Sequence, residues 1–261
     1  MNSFWLPAFT LWWREIVRFY RDRSRVIGSL GPPLLFWLLI GFGLGGSFQS
    51  PGASNVGYLR YLFSGTAVLI VLFTAIFSTI SIIEDRREGF MQSVLVAPVS
   101  RGAIVLGKIL GGSAVALLQG LVFVLLAPLA GIPIGLAQGL LLIGVMFGIA
   151  FALTGLGFLI AWRMESTQGF HGIMNLFLMP MWLLSGSLFP LSGAASWLKW
   201  VMLINPLTYG VSAFQRVLLG DATPPQVASL PLCLAVVAVF GLGMFVLSWK
   251  AALQTRRAAA V

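Results

Sequence analysis

The sequence predicts an all-α integral membrane protein with six transmembrane helices. Hydrophobic residues make up 59% of the 261 residues and charged residues only 9%, whereas soluble domains carry about 25% charged residues. Uncharged runs long enough to cross a bilayer, which takes about 20 residues, recur along the chain. Aromatic residues, at 13% of the sequence, are typical of the belts that form at membrane–water interfaces.

The first predicted element is an amphipathic helix over residues 3–25. Its apolar side carries Trp5, Phe9, Trp12, Trp13, Ile16 and Tyr20. Another stripe of the same helix consists of arginines at helical spacing, namely Arg14, Arg18, Arg21 and Arg25. Such a helix is predicted to lie in the membrane interface beside anionic lipid. The alternative is a solvated helix that packs on its own protein.

Six apolar segments follow, and each is predicted to span the membrane. They cover residues 26–48, 61–83, 104–130, 136–161, 168–189 and 230–249. The turn signal Gly131-Ile132-Pro133 separates the third span from the fourth. Residues 193–219 are also apolar, but Asn205-Pro206 interrupts them and each piece is too short to cross. Two short amphipathic or re-entrant helices are therefore predicted before the last span.

A run of five charged residues, 84–88, lies between the second and third spans. Each Asp, Lys or Arg at the centre of a membrane helix costs roughly 2.5–3.5 kcal/mol, so this run belongs in water at the membrane surface. Glu84 and Asp85 are expected either to pair with the arginines of the first helix or to be solvated. Residues 84–103 thus form a polar connection.

Within this connection, residues 89–96 can form about two helical turns before Pro98 ends them. Phe90 and Val94 share one face of such a helix. The segment is either a short amphipathic helix on the membrane surface, available to a soluble partner, or an ordinary charged loop. The residues leave both interpretations open.

The distribution of basic residues predicts the orientation. With six spans and both termini in the cytoplasm, thirteen of the 16 Lys and Arg residues lie on the cytoplasmic side and three lie outside. This asymmetry is the positive-inside signal. It places the polar connection in the cytoplasm and residues 190–228 on the outer side, and it accounts for the net charge of +9 without a nucleic-acid partner.

Several chemistries are disfavoured by composition. The chain has one His, one Cys and seven acidic residues, which makes a protein metal centre improbable, and it contains no GxxxxGK[ST] phosphate-binding motif. The spans hold no acidic residue, which argues against a proton-coupled antiporter or an acid-ringed cation channel. An export permease, a secondary transporter, a lipid-modifying enzyme and a membrane scaffold are the alternatives.

The fifth predicted span contains polar side chains that are candidates for a substrate pathway. They are His171, Asn175 and Ser185. Polar groups within membrane helices serve either transport or packing through hydrogen bonds between helices. Both interpretations apply to these three residues.

Three motifs in the chain resemble those of the ABC-2 type exporter permeases. They are EDRREGFM at 84–91 followed by LVAPVS at 95–100, LSGSLFP at 184–190, and NPLTY at 205–209. Together with the predicted topology, the resemblance extends over nearly the whole chain. Its nearest members are the drug-resistance and nodulation-factor export permeases, and the polysaccharide exporters are more distant.

The resemblance implies a fold like that of type V ABC exporters and a homodimer that works with two copies of a separate P-loop ATPase, which binds ATP and Mg. The expected location is the bacterial inner membrane, and the expected cargo is amphipathic, lipid-like or glycan-linked. Residues 84–103 would contain the coupling helix, with ATPase contacts from Glu84, Arg86, Arg87, Glu88, Gly89, Phe90, Met91 and Val94. The interface helix would act through Trp12, Arg14, Arg18 and Arg21, and residues 193–219 would be the re-entrant pair.

Overall fold

The computed structural model describes residues 4–43, 57–220 and 227–258. Within these ranges the chain forms eleven α-helices and two short 3-10 helices, with no strand. The helices are α1 Trp5–Arg21, α2 Arg23–Gly43, α3 Tyr58–Ser78, α4 Ile80–Arg87, α5 Phe90–Val96, α6 Arg101–Val124, α7 Leu136–Ala161, α8 Thr167–Leu183, α9 Ser196–Ile204, α10 Pro206–Leu219 and α11 Leu230–Ala258. The all-helical class predicted from the sequence is confirmed.

Five stretches of helix in the described chain are long and apolar enough to cross a membrane. They are Arg23–Gly41, Tyr58–Arg87, Arg101–Val124, Leu136–Ala161 and Leu230–Gln254. They correspond to the first, second, third, fourth and sixth predicted spans, although residues 44–48 of the first lie outside the described residues. The fifth predicted span contains α8, whose 17 residues are fewer than the roughly 20 that a crossing needs. A sixth span therefore stays a prediction.

Helix α8 runs antiparallel to α3. Near the end of α3 the ring of Phe77 lies 5.0 Å from the ring of His171, and further along Trp182 Nε1 donates to the carbonyl of Gly65 at 2.9 Å. One stripe of α8 is buried and consists of Phe170, Met174, Leu178 and Trp182. Because these residues recur every four positions, the opposite face of α8 is exposed within the described chain.

Helix α3 is the centre of the bundle, and nearly all of its residues are buried. Its Phe63 stacks on Phe123 of α6 with ring centroids 4.6 Å apart, and Trp37 of α2 lies edge-on to both rings. Such aromatic pairs contribute about 0.5–1.5 kcal/mol beyond the area they bury. The cluster holds α2, α3 and α6 together.

Small residues of α6 allow α1 to approach it closely. A Cβ atom added at Gly107 would lie 2.6 Å from the carbonyl oxygen of Ala8, and one at Gly111 would lie 2.6 Å from the side chain of Glu15. No Cβ contact is normally so short, so the packing of α1 on α6 depends on glycine at both positions. This contact brings the first helix onto the bundle rather than leaving it as an independent surface helix.

The apolar segment before α11 forms two helices that meet at Asn205. Asn205 Oδ1 accepts from the backbone N–H of Leu207 at 3.0 Å, and Nδ2 donates to the carbonyl of Met181 at 2.6 Å. Asn205 therefore caps α10, and Pro206 occupies its first turn, a position that proline favours. The break predicted from Asn205-Pro206 is present, and the re-entrant placement of α9 and α10 stays a prediction.

Both ends of the described chain lie at the same end of the bundle. A Cβ atom added at Gly102, in the first turn of α6, would lie 3.4 Å from the ring of Phe4 and 3.7 Å from the ring of Trp249. The polar connection between α3 and α6 lies at this end too. We call it the polar end.

Candidate functional site

At the polar end, the predicted short helix is present as α5. Helix α4 continues α3 after a turn at Thr79, and Gly89 then adopts φ +78°, a left-handed conformation that glycine tolerates without strain. Helix α5 ends at Val96, two residues before Pro98. The chain therefore forms two short helices here rather than an irregular loop. We call residues 84–100, which make up most of the predicted polar connection 84–103, the polar segment.

Asp85 is the centre of a group of charged side chains at this end. It is 0% exposed and accepts two hydrogen bonds from Arg14, from Nη1 at 2.9 Å and from Nη2 at 2.6 Å. Arg18 Nη1 donates to it at 2.6 Å, and Lys108 Nζ donates to its Oδ2. Paired hydrogen bonds from one guanidinium to one carboxylate, such as those from Arg14, are among the stronger hydrogen bonds in proteins.

Glu15 extends the group toward the interior of the bundle. Lys108 Nζ donates to Glu15 Oε1 at 2.5 Å, and the hydroxyl of Ser81 donates to Oε2 at 2.6 Å. Both Glu15 and Lys108 are buried. Buried charges of this kind are tolerated only when they are paired and hydrogen-bonded, and α1, α4 and α6 each supply part of the set. We call the group the buried ion cluster; it comprises Arg14, Glu15, Arg18, Ser81, Glu84, Asp85 and Lys108.

Glu84 joins the cluster to the start of α2. Its carboxylate accepts from Arg18 Nη2 at 2.8 Å and from Arg25 Nη2 at 3.0 Å. Of the two possibilities that the sequence left open for Glu84 and Asp85, pairing with the arginines of the first helix is therefore the one observed. Arg14 and Arg18 are directed at these acids rather than toward lipid, whereas Arg21 is exposed.

The charge on Arg14 is favoured by this arrangement. Burial acts to lower the pKa of Arg14, but the hydrogen bond and the negative charge of Asp85 together outweigh burial and raise that pKa above its ordinary value. A guanidinium is already charged at every physiological pH. Arg14 therefore keeps its positive charge beside Asp85.

Besides Glu84, three of the predicted ATPase contacts are engaged inside the protein. Arg86 donates to the carbonyls of Trp162 at 2.6 Å and Met164 at 3.3 Å, which joins the polar segment to the end of α7. The guanidinium of Arg14 lies 3.8 Å above the ring of Phe90. Met91 is only 1% exposed.

Other residues of the polar segment form its outer surface. Arg87, Glu88, Gln92 and Val96 are exposed, and Val96 is 88% exposed. Gly89 and Val94 are half-buried. The outward face is thus mixed in charge with one apolar side chain at its end, and Phe90 lies under the guanidinium of Arg14.

A cavity of about 740 Å³ lies between α2, α3 and α8. Its aromatic lining consists of Phe19, Phe36, Phe73, Phe77 and Trp182. Its polar lining includes Asp22, Ser24, Arg25, Ser29, Thr74, Glu84, Thr167, His171 and Asn175. His171 and Asn175 thus share one cavity, as a pathway role would require.

Ser185 does not line this cavity. It is buried in the turn after α8, where its hydroxyl bonds to the carbonyl of Trp182 at 2.6 Å and lies 2.8 Å from the hydroxyl of Ser187. The neighbouring carbonyl of Gly186 accepts from the hydroxyl of Tyr61 and from Gln215 Nε2. These contacts make Ser185 part of a turn that joins α8 to α3 and α10.

The sequence did not single out three residues that the structure places at functional positions. Lys108 and Glu15 meet in the buried ion cluster, and Thr74 faces the cavity. A lone lysine followed by a long uncharged run was a usable signal for Lys108, because ionisable residues inside membrane proteins usually have a partner. Within the described chain no group of three or more His, Cys, Asp or Glu residues is placed to hold a metal ion.

Five helices of membrane length, packed in one bundle with a charged polar end, indicate a multi-pass membrane protein. The family model described as ABC-2 type transporter matches residues 8–219. The chain therefore belongs to the ABC-2 type transporter family, and the resemblance seen in the three motifs is confirmed.

Relatives are similar over most of their length. "Nodulation protein J" of Neorhizobium galegae is 26% identical over 83% of this chain and 83% of its own. "Putative transport permease ycf38" of Cyanophora paradoxa is 26% identical over 78% of this chain and 71% of its own. "Inner membrane transport permease YadH" of Escherichia coli (strain K12) is 23% identical over 96% of both chains.

Proposed function

We propose that the chain is the non-catalytic permease subunit of an ATP-binding cassette exporter. In this proposal a separate P-loop ATPase, present in two copies, binds ATP and Mg and hydrolyses ATP, and the permease moves cargo outward. The observation that carries the proposal is the polar segment, which is fixed to the bundle on its inner side and exposed on its outer side. Such a segment can transmit the movement of a soluble partner to the membrane helices.

The attachment of the polar segment supports this mechanical role. The buried ion cluster holds α4 to α1 and α6, and Arg86 holds it to the end of α7. Arg101 Nη2 donates to the carbonyl of Leu95 at 3.1 Å, which fixes α5 to the start of α6. A force on α5 would thus reach four other helices through short polar contacts.

The cavity supports a role in carrying amphipathic, lipid-like or glycan-linked cargo. It combines aromatic walls with a charged mouth, so apolar and polar parts of one molecule could both be accommodated. Ligand pockets are commonly built in this way, with a mainly apolar lining and few polar groups. His171 and Asn175 are its polar side chains on α8.

A second copy of the chain is part of the proposal. Leu176 and Phe177 of α8 are exposed, and so are His171 and Asn175, which line the cavity. Polar side chains in membrane helices usually face protein or a water-filled cavity rather than lipid. A homodimer that covers these residues would meet that requirement.

The proposed location is the bacterial inner membrane, with both termini and the polar segment in the cytoplasm. The asymmetry of basic residues along the sequence supports this orientation, and so does the position of both described chain ends at the polar end. One relative carries "inner membrane" in its name. Lipids are the remaining expected partner, through the exposed aromatic residues of α1.

The proposal is tested by purifying the tagged permease from the cells that naturally express it and identifying any P-loop ATPase that copurifies. The wild-type permease is expected to retain the ATPase during purification, and the complex to hydrolyse ATP. Arg87→Glu should reduce the retained ATPase severalfold, because Arg87 is exposed on the polar segment. Arg163→Glu is the matched control, since Arg163 is also exposed but lies in the turn after α7.

Two outcomes would contradict the proposal: a wild-type permease that retains no ATPase, and full retention by Arg87→Glu. Reversal of the charge at Arg86 would be a poorer test than reversal at Arg87. Arg86 donates to two backbone carbonyls, so its loss would disturb the fold as well as any docking surface.

A further inference from the structure

The charged residues around the buried ion cluster leave an excess of positive charge on its surface. Residues 14–25, 84–88 and 108 include eight basic and five acidic side chains. All five acids are ion-paired, and their partners in the described chain are Arg14, Arg18, Arg25 and Lys108. Arg86 is bound by backbone carbonyls. The excess charge is therefore presented by the three arginines that remain, Arg21, Arg23 and Arg87.

Two of these arginines lie at the junction of α1 and α2. Arg21 and Arg23 are both exposed, and neither makes an ion pair with any of the described residues. Asp22, between them in the chain, is directed elsewhere. Its carboxylate accepts from the hydroxyl of Ser24 at 2.5 Å and lies 3.5 Å from Arg25. The junction thus presents two guanidinium groups without an acidic partner.

A strip of apolar side chains on α1 leads to Arg21. Its members follow one another at four-residue spacing, which makes each a neighbour of the next on the helix surface, and they are Trp5, Phe9, Trp13 and Val17. The three aromatic residues of the strip are each more than half exposed. Because Trp is enriched at the depth of lipid headgroups, a strip at that depth brings Arg21 to the level of the lipid phosphates.

Arg23 has a corresponding position on α2. It is the first residue of that helix, and Ile27, about one turn further along, is 70% exposed. Helix α2 is among those long and apolar enough to cross a membrane, so Arg23 lies where it leaves the hydrocarbon. The Cα atoms of Arg21 and Arg23 are no more than about 7 Å apart, because two residues of chain span no further. One anionic group is therefore able to contact both.

A groove of about 920 Å³ lies beside the apolar strip, and Trp13, Val17 and Arg21 are among the residues that line it. The acidic residues of its lining, each paired with Arg18 or Arg25, are Asp22, Glu84 and Glu88. Among the guanidinium groups of this lining, that of Arg21 is the one with no acidic partner in the described chain. The groove thus has room for a polar headgroup next to an unpaired cation.

We propose that the junction of α1 and α2 is a binding site for an anionic phospholipid. The phosphate lies at Arg21 and Arg23, the headgroup enters the groove beside Trp13, and the acyl chains lie against the exposed apolar side chains of α1 and α2. A guanidinium suits phosphate because its N–H groups form a planar fork, and basic residues next to a membrane attract anionic lipid.

This site is narrower than the one the sequence predicts. The sequence predicts lipid contact for a whole arginine stripe, whereas Arg14, Arg18 and Arg25 are occupied by acids in the folded chain. Arg21 alone remains from the stripe, and Arg23, which is outside it, takes part instead. The inference does not depend on an ATPase partner.

The test compares two lipids with the same acyl chains and different headgroup charge, dioleoylphosphatidylglycerol and dioleoylphosphatidylcholine. Each is titrated into the purified full-length permease in detergent, and native mass spectrometry measures the Kd of the first bound lipid. A basic residue near a membrane strengthens the attraction of anionic lipid about fivefold. With two such residues, phosphatidylglycerol is expected to bind at least tenfold more tightly than phosphatidylcholine.

Variants localise the binding. Arg21→Gln and Arg23→Gln should each weaken phosphatidylglycerol binding about fivefold, and the double variant should weaken it at least tenfold, with the Kd of phosphatidylcholine unchanged. Arg87→Gln is the matched control, because it removes the same charge from another exposed arginine at the polar end. It should leave both Kd values unchanged.

Equal binding of the two lipids would overturn the proposal. An equal loss of phosphatidylglycerol affinity in Arg87→Gln and in the double variant would also overturn it, because binding would then follow net charge rather than a site. Displacement of the bound lipid by equimolar inorganic phosphate would assign the two arginines to a free anion instead.

A protein partner at the same two arginines gives a different result. In that case the double variant would lose the ATPase during purification while its lipid Kd stayed unchanged, and the lipid assignment would be wrong. The titration itself uses the permease without any ATPase. Its failure therefore leaves the proposed exporter function standing, and a failure to retain an ATPase leaves a positive titration unaffected.

Discussion

At the scale of single residues, the buried ion cluster was only partly predictable. The run of five charges at 84–88 was unsuited to hydrocarbon, and it lies at the end of the bundle as expected. Lys108 lies near the start of the third predicted span, 104–130, and the structure buries it against Glu15 and Asp85. Glu15 and Lys108 are 93 residues apart, so no local pattern could reveal that they meet.

The burial of Lys108 makes a stability prediction. Lys108→Met fills a similar volume but leaves Glu15 and Asp85 with less compensating charge inside the protein. Removing one partner of a buried ion pair costs about 3–5 kcal/mol, and we expect the free energy of unfolding to fall by an amount of this order. The measurement is the thermal unfolding of the purified protein in detergent.

Lys250→Met is the control for this variant, because Lys250 is exposed on α11. It should unfold at nearly the wild-type temperature. Equal effects of the two substitutions would show that Lys108 has no special part in stability.

At the scale of elements, the end of α8 shows where local sequence was insufficient. The fifth span was predicted to reach residue 189, but α8 ends at Leu183 and a compact turn follows. The turn has Gly186 at φ +84°, and its backbone is bound by Tyr61 and Gln215. Apolar composition continues through the turn, so hydropathy alone could not locate the end of the helix.

Gly65 of α3 is the glycine that this turn requires. A Cβ atom at Gly65 would lie 2.3 Å from the carbonyl oxygen of Ser187, and neither atom belongs to a flexible side chain. Gly65→Ala should therefore separate the turn from α3 and lower the free energy of unfolding by about 1–3 kcal/mol, as overpacking of a core does. Thermal unfolding of the purified protein in detergent is the measurement.

The comparison for Gly65 is Gly144→Ala on α7. A Cβ atom at Gly144 meets no other atom within 4 Å, and alanine is favoured over glycine within a helix by about 0.5–1 kcal/mol. This variant should be as stable as the wild type or slightly more stable. A destabilised Gly144→Ala beside an unaffected Gly65→Ala would contradict the packing described here.

At the scale of the whole molecule, the sequence predicted the helical class and most of the long helices. The fourth predicted span, 136–161, coincides with α7 Leu136–Ala161, because Gly131, Pro133 and the charged Arg163 mark both ends. The shared cavity of α2, α3 and α8 was beyond reach from hydropathy, since it depends on how these helices pack. His171 and Asn175 could be chosen for their polarity, but Asp22 and Thr74 are found in its lining only from the structure.

The attachment of the polar segment gives the proposed coupling a physical route to the bundle. The outer face of the polar segment is exposed, while its inner face is joined to α1, α6 and α7 by ion pairs and hydrogen bonds. The most exposed large apolar side chain in the described residues is Val96, at 88%. Ile204 on α9 is nearly as exposed, at 80%, but lies in the segment predicted to be on the opposite side of the membrane.

Site-specific photo-crosslinking tests the central claim most directly. The photoreactive residue p-benzoylphenylalanine is placed at position 96 in one variant and at position 204 in another, and each complex is irradiated after purification with its ATPase. We predict a crosslink between permease and ATPase from position 96 and none from position 204. A crosslink from position 204, or none from position 96 in a complex that still retains its ATPase, would contradict the assignment of the polar segment as the site of coupling.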